Sequence, residues 1–340
     1  MAQLIDRVVD RVDRVQRNHG VLAFPFAVVK RYGEDHGGWV GALISYYGFF
    51  SLFPLLVVFV TIATWALGSR PELLHAILEA LWSRVPFGSG LETTVEEQVK
   101  EIGANGWATL ISLVVLLWGA LGVARVLQDS VNTVWGVARF RRPGFLPKIV
   151  RSLAVISLLG VGLTASGVAA GLTVTVQFPA AGLVLTALVN VVLGAAVTLA
   201  VYRLSIAQPV NLMDLLPGAI VMAVLGYGLT LVASVYVKHV VARTSGAFGP
   251  FATTIGLLGY VSLTVQVFVY ATEVNVVRAK RLWPRSLTGR NLGEPDVRAI
   301  QLTLRRERLL SQQQLTERGL TAEQAAAALA GRPELPDEAP

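Results

Sequence analysis

Five runs of this chain carry no Asp, Glu, Lys or Arg: residues 40–69, 102–124, 152–202, 215–237 and 247–272. At ~1.5 Å of rise per residue, a helix drawn from any one of them crosses a hydrocarbon core ~30 Å thick. The run at 152–202 is long enough for two passes, hinged at Gln177, Phe178 and Pro179, so six spans are expected. Lipid offers no water to backbone N–H and C=O groups, and spans of this length must close their own hydrogen bonds as helices. Strands of a membrane barrel would be ~10 residues long and alternate in polarity, a pattern missing here. A composition of 54% hydrophobic and 15% charged residues, with a mean hydropathy of +0.59, lies outside the range of a soluble domain of this length.

The 29 Lys and Arg residues fall unevenly between the two sides that six spans define. One side receives 24 of them: six before residue 32, six from Arg125 to Arg151, Arg203 alone, and eleven after residue 273. The other receives Arg70, Arg84, Lys100, Lys238 and Arg243. The positive-inside rule then places both termini in the cytoplasm, which an even number of spans allows. The net charge of +7 is explained by attraction to anionic headgroups, about 1 kcal/mol per Lys or Arg near the surface. No basic stretch shows the aromatic interleaving that stacks bases, so no nucleic-acid partner is expected. The first 39 residues carry charges throughout, which argues against a cleavable signal peptide.

Three expected units follow. Residues 1–36 form cytoplasmic or interfacial helices, in which Leu4, Ile5, Val8, Val9, Val12 and Val15 share one face. Residues 37–280 form the six-helix membrane domain, and its outer loop at 70–106 reads as two amphipathic helices. Pro71 opens the first, whose stripe is Leu73, Leu74, Ile77, Leu78, Leu81 and Trp82; Leu91, Val95, Val99 and Ile102 mark the second. This loop is expected to cap the outer mouth of the bundle. Residues 281–340 form a soluble cytoplasmic tail, with helices at 296–314 and 321–330 and an end rich in Pro and acid that is expected to be disordered. Pairs of small residues four apart, Gly162 with Ser166, Gly167 with Gly171 and Ala219 with Ala223, allow close helix approach.

Polar groups at membrane depth are costly, so they pair with one another or line a pathway. The topology carries a set of them to the cytoplasmic boundary: Ser45, Tyr46, Tyr47 and Ser51 on the first span, Arg125, Asp129 and Asn132 at the end of the second, Asp214 before the fifth, and Glu273 and Asn275 at the end of the sixth. Arg125, Asn132 and Glu273 are expected to meet there, either as a structural clasp or as a site for an anionic headgroup. Pro54, Pro217 and Gly218 are candidate hinges. Asn190 and Gln266 lie deeper, as interhelical glue or as part of a pathway. Cysteine is absent, and the four histidines, His19, His36, His75 and His239, are scattered without metal-ligand spacing. No catalytic residue, metal or cofactor is expected, and neither is enzymatic activity.

Four ordered motifs carry a resemblance: GALISYYGFFSLFPLL at 41–56, LQDSVNTVW at 127–135, LLPGA at 215–219 and ATEVN at 271–275. In order and spacing they resemble the YihY/BrkB family of bacterial inner-membrane proteins, over roughly residues 37 to 280. The resemblance implies a multi-pass protein of the bacterial inner membrane with a transporter-like helical bundle. The family has also carried the label ribonuclease BN, but phosphodiester hydrolysis needs clustered metal-binding carboxylates or acid–base pairs that this chain lacks. The function expected is translocation of a lipid or other amphiphile, with membrane lipids, anionic at the cytoplasmic face, as partners. The alternative is a scaffold or envelope assembly factor that moves nothing, and a homo-oligomer stays open.

Overall fold

Each uncharged run is helical over nearly all of its described residues. The computed structural model describes residues 13–84 (except 15), single positions between 92 and 99, and residues 106–138, 141–173, 179–239, 249–287, 289 and 292–307. The expected stripe from Leu4 to Val12, the positions Leu91 and Ile102, and the tail helix at 321–330 lie outside the described residues. Nine helices are described: α1 (Gly20–Glu34), α2 (Gly37–Leu67), α3 (Pro71–Arg84), α4 (Gly106–Val134), α5 (Phe145–Thr173), α6 (Pro179–Ser205), α7 (Leu212–His239), α8 (Gly249–Ala279) and α9 (Glu294–Glu307). No strand occurs among the described residues. The run at 152–202 divides as expected, with Pro179 at the first position of α6, where its missing N–H costs nothing.

Five of these helices, α2, α5, α6, α7 and α8, are long and apolar enough to cross a membrane. Their surfaces agree, since Leu43, Val184, Val232 and Leu263 are all exposed. Trp39 and Trp65 are 86% and 87% exposed near the two ends of α2. Their separation in a helix is about 39 Å, close to the ~40–45 Å between the interfacial regions where tryptophan belts lie. α4, at 29 residues, is the sixth long helix.

The six long helices touch in a closed order, α2, α4, α5, α6, α7, α8 and back to α2, while α4 also reaches across to α6 and α8. Small residues set the spacing. A Cβ on Gly162 would stand 2.6 Å from Val197 Cγ2, so only glycine lets α5 and α6 approach this closely. Pro54 does not interrupt α2, which continues to Leu67, and its ring packs against Gly119 of α4.

The core lies mainly at one end. Ala27 and Val28 of α1, Val131 of α4, Tyr202 of α6, Leu215 of α7, Val276 of α8 and Ala299 of α9 belong to a single buried cluster there. Toward the other end a smaller cluster joins Leu56, Val57 and Val60 of α2 to Leu81 of α3 and to Val95. The stripe of α3 thus packs down onto α2 and α5, as its sequence pattern predicts.

Candidate functional site: a polar bundle end and two clefts

Three of the four sequence motifs, at 127–135, 215–219 and 271–275, lie at the end of the bundle that carries α1 and α9, while the motif at 41–56 runs along α2 toward the opposite cluster; each builds a junction between helices. In the LLPGA segment, Pro217 has no N–H, so the Met213 carbonyl lacks its usual donor one turn on. Arg278 Nη1 of α8 donates to that carbonyl at 3.3 Å. One turn away, the Gly218 N–H donates to Asn275 Oδ1 at 2.6 Å. A Cβ on Gly218 would fall 2.1 Å from the Ala271 carbonyl oxygen, so this position must be glycine for α7 to lie against α8. Ala271, Asn275 and Arg278 sit at i, i+4 and i+7, a single helical stripe. The two candidate hinges at this motif, Pro217 and Gly218, are thus held by α8 on one side of the helix.

Asn132 makes the second junction. Its Nδ2 donates to the Ser205 carbonyl at 2.8 Å and to the Gln128 carbonyl at 2.7 Å, and its Oδ1 accepts the Ala207 N–H at 2.8 Å. It caps the C-terminus of α6, where carbonyls have no partner within the helix. Gln128 continues the network through Ser152 Oγ at 2.8 Å, which ties α4 to α5. Thr272 Oγ1 donates to the Tyr202 hydroxyl at 3.3 Å, and the Tyr202 ring stacks on Phe268. Glu273 is fully buried. Its charge adds to burial and to Tyr270 in raising the Tyr32 phenol, against the opposing hydrogen bond from Tyr32 to Gln266. Gln266, read as glue or pathway, therefore serves here as glue between α1 and α8; Asn190 likewise pairs with Ser166 between α6 and α5.

The remaining expected site residues go elsewhere. Arg125 is not joined to Asn132 or Glu273: its guanidinium lies 4.5 Å above the Trp118 ring and 5.8 Å from that of Phe145, both exposed. Asp129 pairs with Lys148 at 2.6 Å on a half-exposed surface. Ser45 is buried and donates to the Gly41 carbonyl, while Ser51 donates to the Gly119 carbonyl at 2.8 Å and so ties α2 to α4. Tyr46 (59% exposed) faces outward beside Phe50, while Tyr47 meets the Tyr46 ring edge-on and packs against Gly122 of α4. Asp214 lines a polar cleft of about 410 Å³ with Arg203, Gln208, Asn211 and Lys280.

A second set of charges was not singled out by the sequence. Arg285 donates to Glu34 at 2.6 Å and to Asp296 at 2.7 Å, with both Arg285 and Asp296 buried. Lys30 donates to the Ser286 carbonyl at 2.5 Å, and the buried Arg31 pairs with Asp35 at 3.0 Å and reaches Thr303 at 3.2 Å. Burial alone would raise the Asp296 carboxyl, but Arg285 and the N–H groups of Gly293 and Ser286 outweigh it and hold the group below the usual aspartate value. α1 and the segment after α8 are locked together by these bonds. A signal was available in i, i+4 spacings such as Arg31 with Asp35, though spacing alone does not separate a buried pair from a solvated one.

Toward the opposite end, α2 and α5 diverge beneath α3 and leave an apolar groove of about 730 Å³, lined by Val58, Phe59, Ile62, Ala66, Gly160 and Ala165 among others, with Ile77 of α3 above. Among the described residues no three metal-binding side chains come together.

Long apolar helices with lipid-like surfaces and a bonded polar end define a multi-pass integral membrane protein. The family model for virulence factor BrkB matches residues 28–291, and the chain belongs to that family. It is similar to an inner membrane protein of Escherichia coli (strain K12), YhjD, with 26% identity over 167 residues. That match covers 47% of this chain and 48% of YhjD, so the chain spans about half the length of this relative. No solved structure matches.

Proposed function

We propose that this protein crosses the bacterial inner membrane six times, keeps both termini in the cytoplasm, and moves a lipid or another amphiphile between leaflets. The even number of crossings is supported by the clamp between α1 and the segment after α8: the chain returns to the side from which it entered the membrane. Five helices qualify as spans and α4 makes the sixth. The 24 basic residues on that side favour the cytoplasm.

The observation that carries the translocation reading is the groove between α2 and α5. Its walls are apolar and its volume is within the range of pockets that enclose small ligands. An acyl chain is the ligand such a surface accepts, and α3 covers it without filling it. Membrane lipids are then the partners, and no step calls for a cofactor or for bond cleavage. A buried Glu273, shielded from any phosphodiester, suits a structural role and not hydrolysis. The test is reconstitution into liposomes with headgroup-labelled phospholipid. Transfer of label between leaflets above that of protein-free vesicles supports the reading. No transfer would favour a non-transporting scaffold, to which the closely bonded cytoplasmic end is also suited.

A further inference from the structure

From the polar cleft at the cytoplasmic ends of α4, α6, α7 and α8, we infer that the protein binds a phosphate group there, held by Arg203 and Lys280 with Asn211 and Gln208 as neutral donors. The site stands whether or not the chain moves lipid through the apolar groove.

Three observations carry it. Arg203 and Lys280 line one cavity of about 410 Å³ although 77 positions separate them in sequence, and neither forms an ion pair among the described residues. The cavity is built by Arg203 in the last turn of α6, the connection at 208–211, Asp214 in the first turn of α7, and Ala279 and Lys280 at the end of α8, so the two cations share one space with the opening of α7. Its back wall is Trp135, a buried side chain whose indole N–H has no hydrogen-bond partner in the protein. Each cation complements the C-terminus of its own helix, and Asp214 complements the N-terminus of α7. That pairing accounts for the residue types. It leaves unexplained why three helix ends keep a polar cleft between them instead of closing on it, as the Gly218 junction does one turn deeper.

Asp214 lines the cleft as well, so two positive groups face one negative group. Phosphate binding is therefore favourable but limited, as suits a ligand that must leave. Both a soluble phosphate ester and the headgroup of a membrane lipid present this chemistry, since the exposed Leu212 and Met213 put the cleft beside the bilayer surface.

The experiment uses the full chain. Inorganic phosphate and glycerol phosphate are titrated calorimetrically into protein in a neutral sugar detergent at constant ionic strength, and thermal melting is followed in nanodiscs of phosphatidylcholine with and without phosphatidylglycerol. Arg203 and Lys280 are exposed, so the double variant Arg203→Gln, Lys280→Gln is expected to fold, with circular dichroism and gel filtration as controls. A soluble ligand gives saturable binding that is about tenfold weaker in the double variant. A headgroup ligand gives a phosphatidylglycerol-dependent rise in melting temperature that the double variant lacks. Asp214→Asn should tighten either response several-fold. Absence of both responses, or responses undiminished in the double variant, would overturn the inference.

Discussion

At the end of the bundle that carries α1 and α9, helix termini are met by side chains from other helices: Asn132 on α6, Asn275 and Arg278 on α7, Arg285 between α1 and α9. Around α3 the contacts are those of Leu56, Val57, Val60 and Leu81, and beside them the groove stays open. The contrast separates two physical regimes. Hydrogen bonds to buried groups fix geometry, because a broken one leaves a desolvated donor or acceptor behind. Apolar contacts between α3 and the bundle have no directional requirement, and in lipid they gain little over contact with acyl chains. The bonded end is thus fixed by directional contacts, while the α2–α5 side keeps an apolar groove.

The largest effect is expected where a buried charge loses its partner. Arg285→Ala removes the nearest cation from both Glu34 and the buried Asp296, leaving Asp296 with Lys30 at 3.6 Å, and should lower stability by about 3 kcal/mol, read from chemical unfolding in mixed micelles. The same clamp has a pH signature. The folded pKa of Asp296 is depressed, so its contribution is complete above the ordinary aspartate value of 3.8 and is lost as pH falls through the lower folded value. Tryptophan fluorescence of Trp283, which packs edge-on against Phe24, should report that loss on acidification and should stay flat between neutral pH and the ordinary aspartate value.

Gly218→Ala comes next. Its methyl group would overlap the Ala271 carbonyl, and pushing α7 from α8 should cost about 1–3 kcal/mol and reduce folded yield. The smallest effect belongs to Asp129→Asn. Its pair with Lys148 is half-exposed, so the change should cost less than about 1 kcal/mol and leave the melting profile nearly unchanged. If the Asp129 change proved as damaging as that of Arg285, the distinction between a buried clamp and a solvated surface pair would fail.

Much of this architecture is legible in the sequence. Absence of charge marks the long helices, Pro179 divides the longest run, and the stripe from Leu74 to Trp82 marks α3 as amphipathic. An expected depth for the polar residues comes from counting turns from a span boundary, which needs no tertiary information. Their partners are not legible this way. Arg125 and Glu273 are expected at similar depth, yet depth says nothing of the angle around each helix, and Arg125 points to Trp118 and Phe145. Tyr46 and Tyr47 are likewise adjacent in one motif, yet Tyr46 faces outward and Tyr47 packs against Gly122 of α4. The clamp through Arg285 escaped because its members are about 250 residues apart in sequence, and a helix with balanced Arg and Asp reads as a solvated one. Gly218 could be flagged as a hinge from its Pro-Gly context, but its actual constraint, a carbonyl of another helix that a Cβ there would meet at 2.1 Å, exists only in three dimensions.

The division between a fixed base and a lipid-accepting side is tested most directly by filling the groove. Ala165 lines it on α5, and Ala165→Phe occupies its space without touching the junctions at the end that carries α1 and α9. The measurement is the fraction of headgroup-labelled phospholipid in sealed proteoliposomes that becomes accessible to a membrane-impermeant reductant. The account predicts that the wild-type protein exposes label from both leaflets, and that Ala165→Phe, folded and inserted to the same extent, protects the inner leaflet as protein-free vesicles do. Equal exposure by the two proteins, or no exposure by the wild type, would contradict it.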